Sequence, residues 1–185
     1  MEGVYEVWKA TFGEEHHRTA YAMHFWACAL GGLGDYAGMR SWLEKVVPIR
    51  ALQFGPDGKL TLSTKMAVLA IPVEHDEGVV LSGENAEEAL RVVRVMESDP
   101  QLGPNAVPTA VARGIAALLC SANGDRDEAL HQSTMALESE KAAKLSSSCL
   151  ADIEGIVELV SETSQSITSQ TRMIAAAMRR IQRPW

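Results

Sequence analysis

The chain has 185 residues, 46% hydrophobic and 22% charged, with a formal net charge of −7 at pH 7. That length suits one domain with a continuous core, and that mix belongs to an ordered globular chain rather than a disordered one. The acidic balance disfavours unspecific binding to nucleic-acid backbones, and no apolar run approaches membrane-spanning length.

Residues 3 to 11 pattern as a short helix with Val4, Val7 and Trp8 on one side. It reads as the second helix of a pair whose first helix is absent, so either the chain is cut from a longer protein or this helix is a cap. The opening Met1-Glu2-Gly3-Val4-Tyr5-Glu6 lacks the basic and apolar segments of a secretory leader. Gly13 then stands at a helix stop, where a left-handed residue costs least. Residues 17 to 32 form a helix that is apolar nearly all round, through Tyr21, Met23, Phe25, Trp26, Cys28 and Leu30. Such a helix packs against neighbours on two sides. After Gly31-Gly32-Leu33-Gly34-Asp35, a partner helix over 35 to 53 carries Met39, Trp42, Leu43, Val46, Ile49 and Leu52 at helical spacing. Pro48 predicts a kink or local break inside it.

Residues 59 to 71 form the next helix. Residues 71 to 83 hold a proline and two glycines and read as a long loop, with Val79-Val80-Leu81 strand-like. Helix returns at Asn85, a good N-cap, and runs to about Ser98. Further helices are expected over 107 to 122 and from Gly124-Asp125 to Glu138. Asp125 can cap the latter, and Asp127 and Glu128 suit its positive end. Ala129 is small enough for a close helix crossing. Residues 142 to 182 predict one more helix pair or one long capping helix, whose basic end (Arg172, Arg179, Arg180, Arg183) suits a helix C-terminus.

The organising signal is a repeated octet. Phe12-Gly13 to Thr19 recurs as Phe54-Gly55 to Thr61 at an offset of 42, and more weakly as Leu102-Gly103 to Thr109 after a further 48. A period of this size marks stacked repeats. They span about 12–53, 54–101 and 102–140, within one helical domain over 1–185.

The turn Gly124-Asp125-Arg126-Asp127-Glu128-Ala129-Leu130 resembles the middle of a tetratricopeptide repeat, as do Gly34-Asp35-Tyr36 and Ala86-Glu87-Glu88-Ala89-Leu90. The spacing of 42, with Phe-Gly-x-x-x-x-x-Thr between pairs, is similar to the kinesin light chain subtype. The resemblance covers roughly residues 3 to 160. It implies an all-α fold, a right-handed superhelix of antiparallel helix pairs (a tetratricopeptide-like α-solenoid) with a C-terminal capping helix. Its concave groove would bind a peptide or partner protein. Members of that family commonly carry two asparagines at the fifth and sixth places after the loop threonine. Here those places hold His24 and Phe25, Met66 and Ala67, and Gly114 and Ile115. The missing amides would each have contributed roughly 1 kcal/mol of hydrogen bonding to an extended peptide.

The candidate groove is therefore apolar, with Tyr21, His24, Phe25, Cys28, Met66 and Ile115 near it. Three occupants fit: an amphipathic helix of a partner, the chain's own helix over 165 to 182, or a small apolar molecule. As an enzyme, the same groove would use His24, Tyr21, Cys28 and the carboxylates of the 71 to 83 insertion as acid and base. No catalytic or metal motif is present, and no cofactor is expected. The adjacent rings of His16 and His17 point about 100° apart on a helix and chelate one ion poorly. His75 lies among the acids Glu74, Asp76 and Glu77, which reads as a solvated loop. Cys28, Cys120 and Cys149 read as free thiols in a reducing compartment, which points to the cytoplasm. Oligomeric state leaves no mark in the sequence.

Overall fold

A computed structural model describes residues 2–75 and 83–143. Seven α-helices occur among them: α1 Glu2–Phe12, α2 His17–Gly32, α3 Tyr36–Phe54, α4 Lys59–His75, α5 Gly83–Ser98, α6 Val107–Ala122 and α7 Arg126–Ala143. There is no strand among the described residues. Val79-Val80-Leu81 and nearly all of the expected C-terminal cap lie outside them.

The repeated octet is one structural device used three times. Gly13, Gly55 and Gly103 all have positive φ, at 90°, 86° and 71°. Glycine takes that conformation without Cβ strain. The carbonyl oxygens of these glycines accept hydrogen bonds from the hydroxyls of Thr19, Thr61 and Thr109, at 2.7, 2.9 and 2.9 Å. All three threonines are fully buried. Each turn is thus tied to the first turn of the helix that follows, which is why glycine and threonine recur six residues apart.

The turns inside two helix pairs also match. Gly34 and Gly124 both have φ 86°. The amide of Asp35 donates to the Leu30 carbonyl and that of Asp125 to the Cys120 carbonyl, each at 2.9 Å, closing the preceding helix. The same aspartates open the next helix. Asp35 Oδ1 accepts from the Gly38 amide at 2.8 Å, and Asp125 Oδ1 from the Glu128 amide at 3.2 Å. A Cβ on Gly38 would lie 2.3 Å from Asp35 Oδ2, so glycine there admits the cap. Helices joined by turns this short must run antiparallel.

The helices group into two compact units that divide inside α4, between Ile71 and Pro72. In the first, α2 packs on both α1 and α3. Tyr5, Ala20, Met23, Val46 and Ile49 form one core cluster, and Ala27, Met39, Leu43 and Ile71 form another. Trp42 packs against both, and Tyr5 meets it edge-on with ring centroids 5.0 Å apart. In the second unit, α6 packs on α5 and α7. Every residue from Ala112 to Cys120 is buried, as an apolar helix with neighbours on opposite sides requires. Ala129 is fully buried in α7.

Three local expectations change. α3 runs without interruption through Pro48. Proline cannot donate to the carbonyl one turn back, at Glu44, but both residues are exposed, so water can bond that oxygen. α4 likewise passes through Pro72 to His75, so the long loop starts later than the proline suggested. α5 begins at Gly83, which places Asn85 inside its first turn rather than at the N-cap.

Candidate functional site

Tyr21, His24, Phe25 and Cys28 stand at i, i+3, i+4 and i+7 on α2, so they share one face. Tyr21 is 44% exposed and Phe25 39%, with ring centroids 5.3 Å apart. His24 and Cys28 are half-buried beside them. α2 contains no aspartate or glutamate, and neither does α4 before Glu74.

Arg50, near the end of α3, lies beneath this face and is only 4% exposed. Its guanidinium carbon is 5.7 Å from the centroid of the Tyr21 ring. One terminal nitrogen, Nη1, donates to Thr64 Oγ1 at 2.5 Å and to the Leu60 carbonyl at 3.3 Å. The Thr64 hydroxyl in turn donates to the same Leu60 carbonyl at 2.8 Å. Arg50 thus ties α3 to α4 while its charge stays close to the aromatic face of α2.

That charge and the surrounding burial set the local chemistry. Burial, then repulsion from Arg50, lowers the His24 pKa to about 4. The ring is therefore neutral at pH 7, and its enclosed Nδ1 has no hydrogen-bond partner among the described residues. Burial raises the Cys28 pKa, and Arg50 only partly offsets it, so the side chain is a thiol rather than a thiolate. Burial also lowers the Arg50 pKa, against the pull of Tyr21 and Cys28. Burial likewise lifts Cys120, to about 11. Among the described residues, no group of three or more histidines, cysteines and carboxylates is placed to hold a metal ion.

The remaining candidates are carried by other elements. Met66 and Ile115 are each 5% exposed, on α4 and α6, in different units. His16 caps α2, its Nδ1 accepting from the Arg18 amide at 3.2 Å, and stacks on Phe12 at 4.9 Å. His75 ends α4, and the carboxylates Asp76 and Glu77 lie outside the described residues, as does the helix expected over 165 to 182.

Sequence reasoning passed over Arg50. The signal was available: Leu43, Val46 and Arg50 fall at i, i+3 and i+7, which sets a cation on the buried stripe of α3. Arg113, in the apolar run of α6, carries the same signal.

A solved structure from Podosopora anserina, of nearly identical TPR-like repeats ascribed to a kinesin light chain, superimposes with a TM-score of 0.64. The match covers 99% of this chain and 86% of that one, at 18% sequence identity. The fold is tetratricopeptide-like. No family model and no curated protein matches the sequence. In this tetratricopeptide-like chain, the fifth and sixth places after Thr19 hold a histidine with an unpartnered nitrogen and an exposed phenylalanine. No described helix is long and apolar enough to cross a membrane.

Proposed function

We propose that the chain is a protein-interaction module that holds a partner peptide or amphipathic helix on the α2 face formed by Tyr21, His24, Phe25 and Cys28. The observation that carries this reading is the pair of exposed aromatic rings one turn apart. Apolar anchors at i and i+4, their rings tilted by 48° and 5.3 Å apart, suit helix-in-groove or peptide docking. Tyrosine and phenylalanine are also among the side chains that anchor interfaces with little conformational entropy to lose. The neutral His24 and the thiol of Cys28 add contact area without a competing charge. Cys28 and Cys120 are free, which suits the reducing cytoplasm.

The test is capture of partners from a cell lysate by the wild-type chain and by Phe25→Glu. Phe25 is exposed, so the substitution leaves helicity intact while placing a charge on the docking face. The proposal expects captured proteins to be lost from the variant at equal circular dichroism. Retention of every one would contradict it. Glutamate at the buried Met66 would disturb packing instead and does not discriminate.

A further inference from the structure

Two arginines are almost wholly enclosed: Arg50 at 4% exposure and Arg113 at 1%. They use Nη1 in the same way. Arg113 Nη1 donates to the carbonyls of Pro104 and Met135 at 2.9 and 3.2 Å and to the Ser139 hydroxyl at 2.5 Å. Arg50 Nη1 donates to one carbonyl and one hydroxyl. They differ at the other edge of the guanidinium. Arg113 Nε and Nη2 both donate to Glu97 Oε1, at 3.1 and 2.7 Å. Arg50 Nε and Nη2 have no acceptor, and no carboxylate pairs with Arg50 among the described residues. Neither nitrogen is among the fully enclosed polar atoms without a partner, which are His24 Nδ1 and Gln132 Oε1 among the described residues.

An edge of two parallel N–H groups matches a carboxylate, and such charge-assisted bonds are the strong ones. A largely desolvated cation without a counter-ion gains most from acquiring one. α2 and the first part of α4 supply no carboxylate of their own. We propose that the Nε–Nη2 edge of Arg50 is an anion site that receives a carboxylate of the bound partner, an acidic residue placed next to the apolar group that meets Tyr21 and Phe25. The inference rests on the docking reading given above and names its missing charge. His24, neutral and with an unpartnered nitrogen, lies within the reach of the same charge and does not repel the incoming anion.

The probes are two blocked tripeptides, acetyl-Leu-Glu-Leu-amide and acetyl-Leu-Gln-Leu-amide, titrated to millimolar concentration into the wild-type chain while the arginine Nε–H signals are followed by NMR. The glutamate form is expected to shift the Arg50 signal saturably, leave the Arg113 signal in place, and bind about tenfold tighter than the glutamine form. Arg50→Lys keeps the charge but not the two-pronged edge, and should reduce the preference to about twofold. Equal shifts with both peptides would overturn the anion site while leaving the docking face standing. No shift with either would also overturn it, whereas the docking face is judged separately by Phe25→Glu. A third tripeptide, acetyl-Leu-phosphoserine-Leu-amide, separates the anion sources: tighter binding of it than of the glutamate form would overturn the carboxylate assignment in favour of phosphate. The peptide pair needs no variant, so misfolding of Arg50→Lys leaves the test intact.

Discussion

Arg50 and Arg113 pose the same physical problem in two units, and the chain solves it differently in each. In the second unit, Glu97 from α5 closes the charge of Arg113, and the ion pair joins α5, α6, α7 and the loop at Pro104. In the first unit, Arg50 binds only uncharged acceptors and sits beneath an aromatic face. A buried cation with a partner acts as a structural tie, because removing either member strands the other. A buried cation without one carries a desolvation cost that packing alone does not return, so its presence points away from stability.

The largest expected effect separates the two arginines. Arg113→Met strands Glu97 and the acceptors at Pro104, Met135 and Ser139, and should destabilise by about 3–5 kcal/mol in urea unfolding. Arg50→Met removes a costly charge with a few neutral bonds, and should cost no more than about 1–2 kcal/mol. Equal losses would erase the distinction. Glu97→Gln would make the second arginine resemble the first. It should cost about 1–3 kcal/mol, read from the same denaturation curves.

His24 sharpens the contrast through pH. Its pKa falls from the ordinary 6.5 to about 4 on folding. Between those values the unfolded chain binds the extra proton, so this contribution to stability is full above the unfolded value and is lost as pH falls. At pH 5 the loss is about 2 kcal/mol. His24→Gln should flatten that part of the stability profile between pH 7 and 5, and an unchanged slope would show that His24 is not held neutral. The smallest effect concerns the shared repeat. Thr19→Val, Thr61→Val and Thr109→Val should each cost about 1 kcal/mol, since each removes one bond to a glycine carbonyl. A large spread among the three would mean that the octets are not equivalent.

Much of the fold was legible because each signal was local. Glycine, threonine and aspartate act within six residues along the chain, so their spacing alone revealed the turns, and α2 and α6 fall at their expected bounds. Pro48 misled because its effect depends on which carbonyl it deprives and whether water reaches it. The candidate face was legible in part. Tyr21, His24, Phe25 and Cys28 share a helix, and helical spacing brings them together. Met66 and Ile115 were assigned by repeat register, and register does not tell whether a position is exposed. Arg50 was missed because its bonds go to Leu60 and Thr64, ten and fourteen residues away on another helix.

The most direct test of the difference between the two arginines is solvent exchange of their Nε–H protons in the unliganded chain, measured by NMR at neutral pH. The Arg113 proton, bonded to Glu97, should exchange slowly, and the Arg50 proton, without an acceptor, should exchange at least about tenfold faster. Equal protection of the two would mean that Arg50 already holds a partner within the chain, and the vacant edge would not exist.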